Sequence, residues 1–213
     1  MRSARLANLK RFSLRTLFVL MTTCCVGIGL WSTYVNPYRL QAQSLAEVRR
    51  LNGNFTTSPA KAVGVHRWLV TTLVGEDAFA HVTTVDLAGK KVDDNVLQSL
   101  AGLIYLRELR LDYTAVTENG ILALRSMKRL RQLSLRYTSL SDPVVPQLAA
   151  FPKLETLLLT GTKISDAALA DLAKLGGLSQ LFIRWTNITN PGAEKLSATL
   201  PNCAIYHHAL NDG

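Results

Sequence analysis

The stretch Leu154-Glu155-Thr156-Leu157-Leu158-Leu159-Thr160-Gly161-Thr162-Lys163-Ile164-Ser165-Asp166-Ala167-Ala168-Leu169 decides the architecture. Leu157 and Leu159 alternate with outward positions, which makes a short strand buried on one side. Leu154 plugs the core just before it. Thr160-Gly161-Thr162 is a turn, and Ile164 drops back into the core. Asp166 is a residue type favoured at helix N-caps, so an outer helix is expected to follow, with Leu169 and Leu172 pointing inward.

The same unit recurs with a step of 24 residues. Leu106, Leu130, Leu154 and Leu178 stand in register, as do Leu109, Leu133, Leu157 and Leu181. The step also links Leu111, Leu135, Leu159 and Ile183, then Val116, Leu140, Ile164 and Ile188, then Leu124, Leu148, Leu172 and Leu196. One step back lie Val82, Val85, Leu87, Val92 and Leu100, so a divergent first repeat begins near Val82. One unit cannot bury its apolar side alone; five stacked units share one continuous core.

Two polar columns accompany the leucines. Thr114, Thr138, Thr162 and Thr186 share the turn, where a short hydroxyl can satisfy buried backbone groups; the first repeat has Lys90 there. Asp94, Glu118, Asp142, Asp166 and Asn190 form the column read as N-caps, with Pro143 and Pro191 behind it. Pro146, three residues after Pro143, predicts an irregular outer segment in the third repeat.

The pattern Leu-x-x-Leu-x-Leu-x-x-Thr-x-Ile resembles leucine-rich repeats, with threonine in place of the more usual asparagine. Leu154–Leu175 is similar to a bacterial variety built on a Thr-Asp-Ala-Gly-Leu-type unit. The opening Arg-Phe-Ser-Leu-Arg-Thr-Leu at Arg11–Leu17 and the closing Leu-Pro-Asn-Cys at Leu200–Cys203 resemble bacterial membrane-anchored members of that class. The resemblance implies an α/β solenoid, a parallel strand ladder on one face and short outer helices on the other. It implies no enzyme activity.

The net charge of +9 suggests a nucleic-acid partner until its distribution is read. Residues 1–50 carry eight Lys or Arg against the single acid Glu47, while the remainder is close to balanced. The excess therefore belongs to the N-terminal segment, and no nucleic-acid partner is expected. No charged residue stands between Arg15 and Arg39. The apolar run 16–35 reaches about 30 Å as a helix, the thickness of a bilayer's hydrocarbon core. Trp31 and Tyr34 sit at its far end, where amphipathic aromatics suit the headgroup region. A cleaved signal peptide begins in the same way, yet Val35-Asn36-Pro37-Tyr38 is a poor cleavage site. Met21-Thr22-Thr23 before Cys24 likewise fits a lipoprotein site badly. The run is read as a single-pass anchor in the cytoplasmic membrane, N-terminus inside and repeats outside.

The expected organisation is a basic tail at 1–15, a transmembrane helix at 16–35 and a helical linker with N-terminal cap at 36–80. Five repeats follow at 81–200, then a C-terminal cap and tail at 201–213. Asn36-Pro37 is read as the end of the apolar helix, Arg39–Leu51 as an amphipathic helix stopped by Asn52-Gly53, Phe55–Ala60 as a turn and Ala62–Val74 as helical. Cys203 is read as a buried apolar side chain and His66 as structural. His207-His208 is read as a tail dipeptide.

No catalytic or metal-binding motif stands out, so no cofactor is expected. Asp93-Asp94 resembles paired carboxylates, but the repeat register gives Asp94 a capping role. Outward strand positions form columns: Thr84, Glu108, Gln132, Thr156, Gln180; Asp86, Arg110, Ser134, Leu158, Phe182; Ala88, Asp112, Arg136, Thr160, Arg184; and Gly89, Tyr113, Tyr137, Gly161, Trp185. Tyr, Trp and Arg are the residues enriched at interface anchors. Arg110, Tyr113, Arg136, Tyr137, Phe182, Arg184 and Trp185 are therefore the candidate contacts for a protein or peptide ligand. Ordinary packing on a strand surface is the alternative account of the same aromatics. The function expected is non-catalytic protein–protein interaction outside the cytoplasmic membrane. The other readings are a structural envelope protein and a substrate-recognition adaptor of ubiquitin-ligase type with cytosolic repeats.

Overall fold

The structure, a computed structural model, describes Ser32 and residues 36–59 and 80–207. The transmembrane helix expected over 16–35 (Ser32 apart), the helix expected over 62–74, His66 and His208 lie outside the described residues. Among the described residues no helix is long and apolar enough to cross a membrane.

The described strands form one seven-stranded sheet in strict sequence order. They are β1 (Asn54–Pro59), β2 (Ala80–Asp86), β3 (Glu108–Arg110), β4 (Gln132–Ser134), β5 (Thr156–Leu158), β6 (Gln180–Phe182) and β7 (Ala204–Tyr206). Strands β2 to β7 are parallel, and each pairs with the next at the 24-residue step: Val85, Leu109, Leu133, Leu157, Leu181 and Ile205 lie side by side. The expected ladder is present, and Ala204–Tyr206 adds a sixth parallel strand to it. The pairing fixes which side is buried, because a one-residue slip would turn every leucine outward. Val85, Leu87, Leu109, Leu111, Leu133, Leu135, Leu157, Leu159, Leu181 and Ile183 are all completely buried. Each such side chain contributes on the order of 1.5–3 kcal/mol of burial free energy. They belong to one core that runs from Leu45 to Cys203. Cys203 is buried there as an unpaired thiol, and burial pushes its pKa up.

The N-terminal edge is covered twice. Helix α1 (Asn36–Arg50) buries Leu45 and Val48 against the first repeat, and Ser44 donates to the Ser99 carbonyl at 2.6 Å. It begins earlier than the Arg39 start expected, taking in Asn36 and Pro37, because a proline in the first turn has no helical hydrogen bond to lose. Asn52 ends α1 with φ of 52°, while Gly53 donates back to the Val48 carbonyl at 2.9 Å. Phe55–Ala60, expected as a turn, is instead largely strand: β1 pairs antiparallel with β2 through a bulge at Thr56/Thr57. Its amides need partners, and the free edge of the first repeat supplies them.

The outer side carries α2 (Asp94–Ser99), α3 (Glu118–Ala123), α4 (Val145–Leu148), α5 (Leu169–Leu172) and α6 (Asn190–Thr199). A single 3-10 turn precedes both α4 and α5. The irregular segment expected in the third repeat is thus matched in the fourth, and Pro146 fits within the first turn of α4.

The acid column requires a correction. The N-caps are Asp93, Thr117, Ser141, Ser165 and Thr189, one residue earlier than expected. The acids reach across to the next repeat instead. Asp94 accepts from the Thr117 amide and hydroxyl at 2.8 and 2.5 Å, Asp142 from those of Ser165 at 2.7 Å each, and Asp166 from those of Thr189 at 2.9 and 2.7 Å. Each acid thus clamps the following N-cap, joining successive repeats along the helical side. Two glycines make room for it: a Cβ on Gly120 or Gly192 would fall on the Asp94 or Asp166 carboxylate. His207 also departs from the tail expected of it. It is half-buried, with a ring nitrogen 3.3 Å from the Ile188 carbonyl.

Candidate functional site

Where each strand ends, the ladder continues through two further amides before the chain turns outward. Leu111, Leu135, Leu159 and Ile183 donate to the carbonyls of Ser134, Leu158, Phe182 and Tyr206 in the next repeat. Gly89, Tyr113, Tyr137 and Gly161 then donate to Asp112, Arg136, Thr160 and Arg184 at 2.8–2.9 Å. To turn after that last bond, the backbone adopts the left-handed conformation, with φ of 68°, 58°, 53° and 72° at these four positions and 54° at Trp185. The following threonine closes the turn. Thr114, Thr138, Thr162 and Thr186 donate their hydroxyls to the carbonyl three residues back, at 2.6, 2.8, 2.7 and 2.8 Å, all buried. In the first repeat the Lys90 amide bonds the Leu87 carbonyl at 3.1 Å.

A left-handed position suits glycine or asparagine and costs a bulky residue about 1 kcal/mol or more. Three of the five positions nevertheless hold Tyr or Trp. Their rings are exposed, Tyr113 by 62%, Tyr137 by 38% and Trp185 by 47%, and they form one ridge. Tyr113 stacks on Tyr137 with centroids 4.6 Å apart and planes at 12°, and Tyr137 meets Trp185 at 6.1 Å, tilted by 34°. The Tyr137 ring lies over Gly161, where a Cβ would strike it. The Tyr113 phenol is pushed up from its usual pKa, first by desolvation and then by the neighbouring Tyr137.

The remaining candidates divide along the ladder. Arg110 is engaged within its own repeat and the one before, 3.0 Å from Asp86 and 3.5 Å from Asp112. Asp112 is itself buried, accepting from the Ser134 hydroxyl and from the Arg136 amide at 3.1 Å. Arg136 is half-buried with its guanidinium 5.9 Å from the Phe182 ring centre. Phe182 stacks on Tyr206 at 4.3 Å with planes 8° apart. Arg184 is exposed beside Trp185 and makes no ion pair among the described residues. All seven candidates therefore lie on the outward strand face or its rim, but only Arg184 offers an exposed, unengaged charge. Tyr206 joins the surface unforeseen, and its signal was available, because it stands one 24-residue step after Phe182.

Among the described residues no group of three or more His, Cys, Asp or Glu side chains is placed to hold a metal ion.

No family model and no curated protein matches the sequence. Solved structures do match. An internalin (InlF) of Listeria monocytogenes aligns over 61% of this chain and 35% of its own, with 21% identity and a TM-score of 0.50. A second Listeria internalin (InlC2) aligns over 65% of this chain and 56% of its own, with 26% identity and a TM-score of 0.43. The leucine-rich repeat ectodomain of the receptor kinase SOBIR1 from Arabidopsis thaliana covers 81% of this chain and 92% of its own, at 16% identity and a TM-score of 0.49. The chain thus spans about a third and about half of the two internalins it matches. Together with the six-strand parallel ladder, the InlF match makes the fold a leucine-rich repeat solenoid.

Proposed function

We propose that this chain is a membrane-anchored, non-catalytic leucine-rich repeat module that binds a protein partner with the ridge Tyr113–Tyr137–Trp185 and the adjoining strand face. The observation that carries the reading is the left-handed backbone beneath these three aromatics. The turn geometry is met at least as well by glycine, as at Gly89 and Gly161, so the rings are not required by the turn. Strained backbone under exposed side chains points to a use for those side chains. Large, stiff rings beside an arginine are the composition of an interface anchor.

The anchor is the apolar run 16–35, and the basic excess ahead of it orients the repeats outside the cytoplasmic membrane. In this reading α1 continues outward from the membrane and seats the first repeat.

The test is site-specific photocrosslinking in intact cells, with a benzophenone amino acid at position 137, at position 185, or at the exposed helical-side position 119. Protease treatment of spheroplasts reports the topology in parallel. The ridge positions are expected to capture one and the same protein, with position 119 silent and the repeats digested from outside. Equal capture from 119 and 137 would refute the ridge as the site, and protected repeats would refute the topology.

A further inference from the structure

The outward face of the ladder is divided in charge. Its N-terminal half presents three carboxylates and one guanidinium: Asp86, Glu108, Asp112 and Arg110. Arg110 already holds two of those acids, at 3.0 and 3.5 Å, which leaves Glu108 as the free charge of that half. Among the described residues, the outward columns of the C-terminal half, β4 to β7, hold Arg136 and Arg184 and no carboxylate; Glu155, just before β5, is held by Arg131 at 2.7 Å. Here the Nε of Arg136 is buried without a hydrogen-bond partner. The Arg136 guanidinium lies 5.9 Å from the Phe182 ring, which stacks on Tyr206, and Trp185 follows Arg184 in the chain. Two cations beside aromatic rings, with no acid among the described residues to neutralise them, complement an apolar segment carrying its own carboxylates.

We infer that the C-terminal half of the strand face, through Arg136, Phe182, Arg184, Trp185 and Tyr206, recognises an acidic peptide segment of the partner protein. The inference rests on the reading of the ridge as the binding site and adds the chemistry of the ligand. Arg136 and Arg184 are two repeats apart, about 10 Å at the usual strand spacing. The segment recognised therefore carries at least two carboxylates, one for each guanidinium, with apolar residues resting on Phe182 and Trp185. A second copy of this chain fits less well, because the acidic half it would contribute keeps only Glu108 unpaired.

The experiment uses the full chain in lipid nanodiscs to select from a displayed library of random dodecapeptides. Fluorescence anisotropy with a synthetic selected peptide and its Gln/Asn counterpart follows. Enrichment of acidic residues is expected, with affinity falling about tenfold for the amide counterpart and for Arg184→Gln, and falling again as salt screens the pair. Circular dichroism of Arg184→Gln should match that of the parent, since the side chain is exposed and unpaired. Peptides without acidic enrichment that are lost with Tyr137→Gly but indifferent to Arg184→Gln would overturn this inference and leave the ridge reading standing. An empty selection, or peptides indifferent to both substitutions, would overturn both. Self-association lost in Arg184→Glu and regained on adding Glu108→Arg would assign the face to a second copy and overturn the acidic peptide.

Discussion

Two neighbouring columns of the same turn obey different rules. One holds Thr114, Thr138, Thr162 and Thr186; the other, one residue earlier, holds Tyr113, Tyr137, Gly161 and Trp185. The threonines are alike because the scaffold sets them one task, donating a buried hydroxyl to a carbonyl three residues back. The preceding column also has one scaffold task, a left-handed turn, yet its side chains range from no side chain at all to indole. Glycine performs that task with least strain, so the turn itself does not call for the aromatics. Uniformity marks what the fold needs; in the proposed reading, costly variation marks where a partner binds.

The contrast can be broken from either side. The largest effect is expected on the scaffold side. Thr138→Val keeps the shape but removes the hydroxyl, leaving the Leu135 carbonyl short of its buried bond. Chemical denaturation of the full chain in detergent should show a loss of about 1–3 kcal/mol, with no change at the ridge. If Thr138→Val proved neutral, the threonine column would have no more claim on the fold than its neighbour.

A smaller effect, about 1–2 kcal/mol, is expected where the two demands meet. Gly161→Ala puts a Cβ at a left-handed position and against the Tyr137 ring, so both the backbone and the ridge must give. Tyr137 fluorescence or crosslinking should change along with stability. A fully tolerated Gly161→Ala would mean that the ring does not rest where the stacking places it.

The repeat step made the ladder legible in the sequence, because a 24-residue period in leucine fixes strand, register and buried side together. The outward columns read from it are the columns of the structure. Reading failed where a side chain's partner lies in another repeat. Asp93 and Asp94, or Ser165 and Asp166, are both capping types, and only the position of the next helix shows that the second clamps its neighbour. Strand β1 escaped because Asn54-Phe55-Thr56-Thr57-Ser58-Pro59 carries turn residues and little apolar alternation; its strand character comes from the edge it covers. Strand β7 escaped because Asn202 stands where the step calls for leucine, although Ile205 and Tyr206 keep the register.

The candidate ridge was legible as a column, but not as a strained one. Tyr and Trp give no hint of positive φ, and the clue was glycine at 89 and 161 in the same column. The 24-residue step already set Asp86 beside Arg110, but not the second reach of Arg110 to Asp112. Partition of the face into a satisfied half and an open half is thus a product of register and side-chain geometry together.

The most direct test of the central claim needs no partner. Tyr113, Tyr137 and Trp185 are replaced by glycine together in the full chain, and its unfolding free energy is compared with that of the parent. Relief of three left-handed positions at about 1 kcal/mol or more each opposes the loss of ring stacking at about 0.5–1.5 kcal/mol per pair. The account predicts a stability within about 1.5 kcal/mol of the parent, because in the proposed reading the rings serve a partner rather than the fold. A loss of about 3 kcal/mol or more would place the ridge among the fold's own packing and contradict the account.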